Sequence, residues 1–244
     1  MTDTELALEP LTLTAGRRMD QVVSAIQAAI DSGRMSPGVK YSVYQLADQL
    51  GVSRTPVREA LLRLEEAGLI RFEARQGFYI MLPHPQEIAD IFAVRLALEV
   101  PAVRRAAQIA TASTKKMLSK RMAAMRQAVR KSDEVQFSAH DQLLHDHVLQ
   151  AAGNVRAQRI VAGLRESTRL LGVSTADRTR TLADIDQEHI PIVSAIAEND
   201  ADAAEAAMRT HLVTTGRLLV AQAACNQDLE GLDVDAIWFH SVQE

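Results

Sequence analysis

The sequence predicts a mainly helical protein, an N-terminal winged helix-turn-helix joined to an all-helical bundle. Three observations carry this. Apolar residues recur at spacings of three, four and seven along most of the chain, the period of an amphipathic helix. Runs with strand character are confined to a short stretch around residues 69–82. Alanine is abundant while aromatic residues make up only 4%, a balance that favours helices over sheets.

The 244 residues suit two compact domains, and 47% hydrophobic residues suffice for sizeable cores. A formal net charge of −4 argues against indiscriminate coating of nucleic acid. The segment Gly16–Leu82 nevertheless carries nine Lys/Arg against seven Asp/Glu, and specific binders can work from such a local basic edge. The lone Cys225 excludes an intramolecular disulfide and fits a reducing cytoplasm. No apolar run reaches the ~18–20 residues that cross a bilayer. The N-terminus lacks the basic, apolar, small-residue order of a secretory signal. A cytoplasmic protein without a membrane partner is expected.

In chain order, residues 1–15 are polar and unpatterned, the expected flexible arm. The domain at 16–82 opens with Val22, Val23, Ile26 and Ile30 on one face of a helix over Met19–Ile30 that ends near Gly33. Ser36-Pro37-Gly38 then marks a turn. Over Ser42–Gly68 two helical patterns flank a tight turn. Val43, Leu46, Ala47 and Leu50 form the first apolar stripe, and Gly51 ends that helix because glycine adopts a left-handed backbone cheaply. Ser53 or Thr55 can cap the second helix, Pro56 falls in its first turn, and Val57, Ala60, Leu61 and Leu64 form its buried stripe. Leu69–Phe72 and Phe78–Leu82 read as a two-stranded wing around Arg75-Gln76-Gly77. Pro83–Pro85 is the expected linker. Helices are then expected at 86–110, with Pro101 kinking or dividing it, and at 114–131, 133–152, 155–171, 181–198 and 201–223, completing a domain over 86–223. The tail 224–244 contains Trp238 and Phe239, which can pack on the body or on a second subunit.

Two short helices around a glycine turn, with Arg54 and Arg58 on the polar N-terminal edge of the second, can place that helix in a DNA major groove. Arginine bonds guanine O6 and N7 in pairs, and Ser53 or Thr55 can reach a phosphate or a base. At the wing, Gly77 permits close backbone approach to a phosphate or the minor groove, with Arg75 or Gln76 reaching in. The competing reading is an ordinary helical hairpin with solvated arginines. The residues Leu46-Ala47, Gly51 through Leu61, Leu64-Glu65 and Gly68-Leu69 closely resemble the GntR family of bacterial transcription regulators. That resemblance implies that Arg54, Thr55 and Arg58 contact operator DNA. One departure is clear: where family members often carry arginine just before the Leu-Ala pair, this chain has Tyr44-Gln45.

In the helical region Asp141 and His145 stand four residues apart, on one helix face. His189 and His211 lie at similar distances before and after the break at Asn199-Asp200, so an antiparallel hairpin brings them level. One carboxylate and three imidazoles in a bundle suit a divalent transition metal. Zinc is the first expectation, and nickel, manganese or iron also suit these donors. Taken singly, each histidine reads as an ordinary hydrogen-bonded one, as His84, His140, His147 and His240 do. Together with Gly153-Asn154, Glu188-His189, Ala195-Ile196, Asp200, Ala203, Met208 and His211-Leu212, the set resembles the ligand-sensing FCD domain of the FadR subgroup over about 86–222. The resemblance implies metal binding by Asp141, His145, His189 and His211, with a small organic acid completing the coordination. It also implies a homodimer on a palindromic operator. Arg95 falls among the apolar Ile88, Ile91, Phe92 and Leu98 and therefore needs a partner, either Glu99 one turn on or the carboxylate of the effector. Arg165 and Arg169 are further effector candidates. Two rivals stand beside the regulator reading. One is a metal-dependent hydrolase or lyase with a DNA-binding appendage, which lacks an evident general base because Glu188 points about 100° from His189 on a helix. The other is a regulator whose metal is purely structural.

Overall fold

The computed structural model describes residues 18–73, 77–82, 84–170, 175–176, 179–227 and 232–242, excepting the side chains of Asp31 and Asn226. Contacts divide it into two compact units, Met1–Pro83 with Ser167–Val173, and His84–Glu166 with Ser174–Glu244.

The first unit contains α1 (Arg18–Asp31), β1 (Lys40–Tyr41), α2 (Val43–Gln49), α3 (Arg54–Glu66), β2 (Ile70–Glu73) and β3 (Gly77–Ile80). Its core gathers the apolar faces read from the sequence: Val22, Val23, Ile26, Leu46, Leu50, Val57, Leu61 and Leu64 are all buried. Ser42 caps α2, its side chain accepting from the backbone N–H of Tyr44 and Gln45. Gly51 turns the chain at φ +66°. Ser53 occupies the cap position of α3 without a side-chain capping bond. The sheet has three strands in the order β1-β3-β2, all antiparallel, where the sequence showed two. The two-residue β1 is too short for a periodicity signal. Gly77 owes its identity to this extra strand: with φ +125°, a Cβ there would lie 2.1 Å from the Tyr41 carbonyl oxygen. The wing-tip residues Arg75 and Gln76 lie outside the described residues.

The second unit is helical. It comprises α4 (Pro85–Ile109), α5 (Ala112–Lys131), α6 (Glu134–Ala151), α7 (Val155–Leu170), α8 (Leu182–Glu198), α9 (Ala201–Asn226) and α10 (Val234–Val242), with the last turn of α7 grouped with the first unit. Pro85 opens α4 rather than ending a linker, and α4 runs unbroken through Pro101. The central α4 packs against α6, α8, α9 and α10. A capping box formed by Thr181 and Asp184 starts α8, Asn199 ends it in the left-handed conformation, and Asp200 caps α9. This tight turn makes α8 and α9 the antiparallel pair that levels His189 with His211. The tail forms α10, which docks on α4 and α9. Trp238 is buried 6.3 Å from the Phe92 ring, in a socket that exists because residue 216 is glycine: a Cβ there would lie 2.4 Å from the indole.

Candidate metal centre and nucleic-acid interface

Four helices of the second unit each send a polar side chain inward to one place. α6 contributes Asp141 and His145, α8 contributes His189, α9 contributes His211, and Glu99 arrives from α4. All three histidines are buried, and one ligating atom from each lies within 4.8 Å of the others. His145 Nε2 and His189 Nε2 are 3.4 Å apart. Asp141 Oδ1 stands 2.8 Å from His189 Nε2 and 3.8 Å from His145 Nε2. That oxygen is buried and makes no aligned hydrogen bond, so it faces the same point as the imidazoles.

The outer nitrogens explain the convergence. His189 Nδ1 donates to the Ile185 carbonyl at 2.8 Å, His211 Nδ1 donates to Glu188 Oε2 at 2.9 Å, and His145 Nδ1 donates to Glu99 Oε2. With Nδ1 the donor in His145 and His211, their Nε2 lone pairs are left for the interior, while His189 Nε2 faces Asp141, whose carboxylate favours a proton there. The accepting carboxylates are held in turn. Arg95 Nε binds Glu99 Oε1 at 2.7 Å, Arg180 Nη1 binds Glu188, and Arg165 Nη2 binds Asp141 Oδ2. Thr175 and Thr215 hydroxyls accept from Arg180 Nη2 at 2.6 and 3.2 Å.

Burial, reinforced by Arg165, pushes the His145 pKa down to about 4. Burial and the neighbouring His189 push His211 down to about 3. Both are therefore neutral near neutral pH, as ligands must be. For His189 burial works the same way, but the Asp141 carboxylate outweighs it and holds the pKa above the ordinary value. Burial opposes ionisation of Asp141 and Glu99 too, yet the adjacent Arg165 and Arg95 keep both well below the usual carboxylate range. A buried point faced by three neutral or exchangeable imidazoles and a carboxylate with a free oxygen fits a divalent transition ion.

Of the effector candidates, Arg95 forms the structural pair with Glu99, and Arg165 pairs with Asp141. Each keeps one buried donor without a partner among the described residues, Arg95 Nη2 and Arg165 Nε. Arg169 groups with the other unit. Sequence reasoning missed Arg180 altogether, and it read Glu188 as a misdirected base when that residue orients His211 from the facing helix. His84 has a plain capping role, accepting from Gln86 N–H through Nδ1.

In the first unit Ser53, Arg54, Thr55 and Arg58 are exposed along the N-terminal edge of α3, opposite buried Pro56, Val57, Ala60 and Leu61. The Arg54 guanidinium lies over the Tyr44 ring, 5.1 Å from its centroid.

Residues 90–214, more than half of the chain, match the FCD domain family, and residues 18–80 match the bacterial regulatory proteins of the gntR family. The chain belongs to the GntR family, in its FCD-domain branch. It is a ligand-responsive, DNA-binding transcription regulator by that membership. An HTH-type transcriptional regulator of Agrobacterium vitis is 35% identical over 153 residues, covering 59% of this chain and 90% of its own. The Escherichia coli transcriptional repressor RspR is 28% identical over 178 residues, covering 73% and 78%. The solved structure of E. coli McbR/YncC shares the fold, with a TM-score of 0.61 at 22% identity over 84% of this chain and 98% of that one. The A. vitis and RspR relatives are both named transcriptional regulators, which favours the regulator reading over the hydrolase one. Among the described residues no helix is long and apolar enough to cross a membrane.

Proposed function

We propose that this regulator senses a small organic acid at a metal-containing pocket and, as a homodimer, represses transcription from a palindromic operator. One observation carries the sensing half: three imidazoles have every Nδ1 already engaged and every Nε2 aimed at one point beside the free Asp141 oxygen. Asp141, His145, His189 and His211 would hold the ion, with zinc first among zinc, nickel, manganese and iron. When bound, the ion supplies a Lewis-acidic point that attracts a carboxylate. The unpaired Arg95 Nη2 and Arg165 Nε are the donors positioned to orient that carboxylate, since a guanidinium fork matches its geometry.

On the DNA side, Ser53, Arg54, Thr55 and Arg58 form the recognition edge, and Arg75, Gln76 and Gly77 serve the wing. A homodimer presents two such edges to two half-sites. Repression follows the behaviour of RspR. Acid binding alters DNA affinity, and linkage requires DNA to alter acid affinity by the same factor.

Thermal melts of the purified protein test this, taken as isolated, after chelation, and after return of each metal with a panel of organic acids. A ligand that binds only the folded state raises the melt. The expected pattern is a fall on chelation, recovery with one metal and a further rise with one acid. His189→Ala with His211→Ala abolishes metal content, while Arg58→Ala abolishes specific DNA binding and leaves metal content intact. Full metal occupancy in the double variant would refute the site.

A further inference from the structure

Tyr44 is a large aromatic side chain that contributes nothing to the core. It is 61% exposed at the start of α2, beside buried Leu46 and Ala47. Its backbone is nonetheless fixed, because the Ser42 hydroxyl accepts from the Tyr44 and Gln45 N–H groups at 3.2 and 3.5 Å. Arg54, the first residue of α3, crosses the Gly51 turn and sets its carbon centre 5.1 Å from the Tyr44 centroid. Arg54 enters no hydrogen bond or ion pair among the described residues, so the ring is the feature that orders it.

A cation–π contact engages the face of the guanidinium and leaves the five in-plane N–H donors unused. A free arginine must give up its side-chain entropy when it meets a base; one already held on a ring has less to lose. We propose that Tyr44 is a positioning residue for DNA recognition, holding Arg54 so that its N–H fork is presented to a guanine edge. This rests on α3 being the recognition helix and adds an aromatic determinant from α2. In this arrangement the tyrosine acts through its ring and the hydroxyl is dispensable.

The probe is a duplex enriched from a randomised library by the wild-type full-length protein, compared with the same duplex after its guanines are exchanged. Binding is measured for Tyr44→Ala, Tyr44→Phe, Arg54→Ala and the Tyr44→Ala/Arg54→Ala pair, at several salt concentrations. Tyr44→Ala is expected to weaken binding about five-fold, the scale of an exposed cation–π contact, and to reduce the preference for guanine. Its salt dependence stays unchanged, because no phosphate contact is removed. Tyr44→Phe retains wild-type behaviour, and Tyr44→Ala adds no further loss once Arg54 is alanine. Two results overturn the proposal: an equal loss from Tyr44→Ala in the Arg54→Ala background, or a loss in Tyr44→Phe matching that in Tyr44→Ala. Undiminished guanine preference in Arg54→Ala would instead overturn the recognition-helix reading on which the proposal stands.

Discussion

The proposed recognition edge and the candidate metal centre use charged residues in opposite ways. Arg54, Thr55 and Arg58 project into solvent from α3, whose back buries Val57, Ala60, Leu61 and Leu64. Water satisfies their donors, so they need little hydrogen-bonding support from the protein. His145, His189 and His211 are buried, and no water is guaranteed to reach them. Each outer nitrogen therefore has a dedicated acceptor, and two of those acceptors are charged groups with their own arginine. The difference teaches where mutations register. Changes at the proposed recognition edge should cost DNA binding, whereas breaking the buried ion pair behind the histidines should cost folding first.

The sharpest way to break this contrast is Glu99→Ala. It strips Arg95 of its buried counter-charge and His145 of its acceptor at once. Breaking such a pair costs about 3–5 kcal/mol, and a urea titration should show a loss of that order. A loss below about 1 kcal/mol would mean that the buried network is not what the fold depends on.

Glu188→Gln is gentler, since Glu188 is half-buried and holds His211 from the facing helix. The expected effect is about a 10- to 100-fold weaker metal affinity, read by chelator competition, with the fold retained. Unchanged affinity would show that His211 needs no orienting partner. The smallest effect belongs to the first unit. Ser42→Ala removes the α2 cap and should cost about 1 kcal/mol, visible as faster hydrogen exchange of the α2 amides, with metal affinity untouched.

The recognition unit is legible because its signals are local. Gly51, Pro56 and the apolar stripes of α2 and α3 lie within one stretch, and each reports on residues one turn away. The two-residue β1 escapes because pairing with β3 is a long-range property. In the helical unit the shared face of Asp141 and His145 and the levelling of His189 with His211 across one hairpin are also readable, since helix rise fixes them. The meeting of the two pairs, by contrast, is implied by the family resemblance. Their supports are not readable. Glu99 meets His145 across α4 and α6, and Arg180 reaches Glu188 and Thr215 from the segment before α8. Such encounters depend on helix packing angles, which periodicity does not encode. Likewise α10 lies in a stretch with only two large aromatics, and its seat depends on the missing side chain of Gly216.

That seat has a practical consequence. Trp238 is the chain's only tryptophan, and it sits beside Phe92. The Phe92 ring also faces the Arg95 guanidinium, 4.7 Å from its centroid, one helical turn from the carboxylate that steers His145. The single tryptophan, selectively excited beyond the tyrosine band, is thus mechanically joined to the wall of the candidate metal centre, and its emission colour and lifetime report rearrangement of α4 without any label.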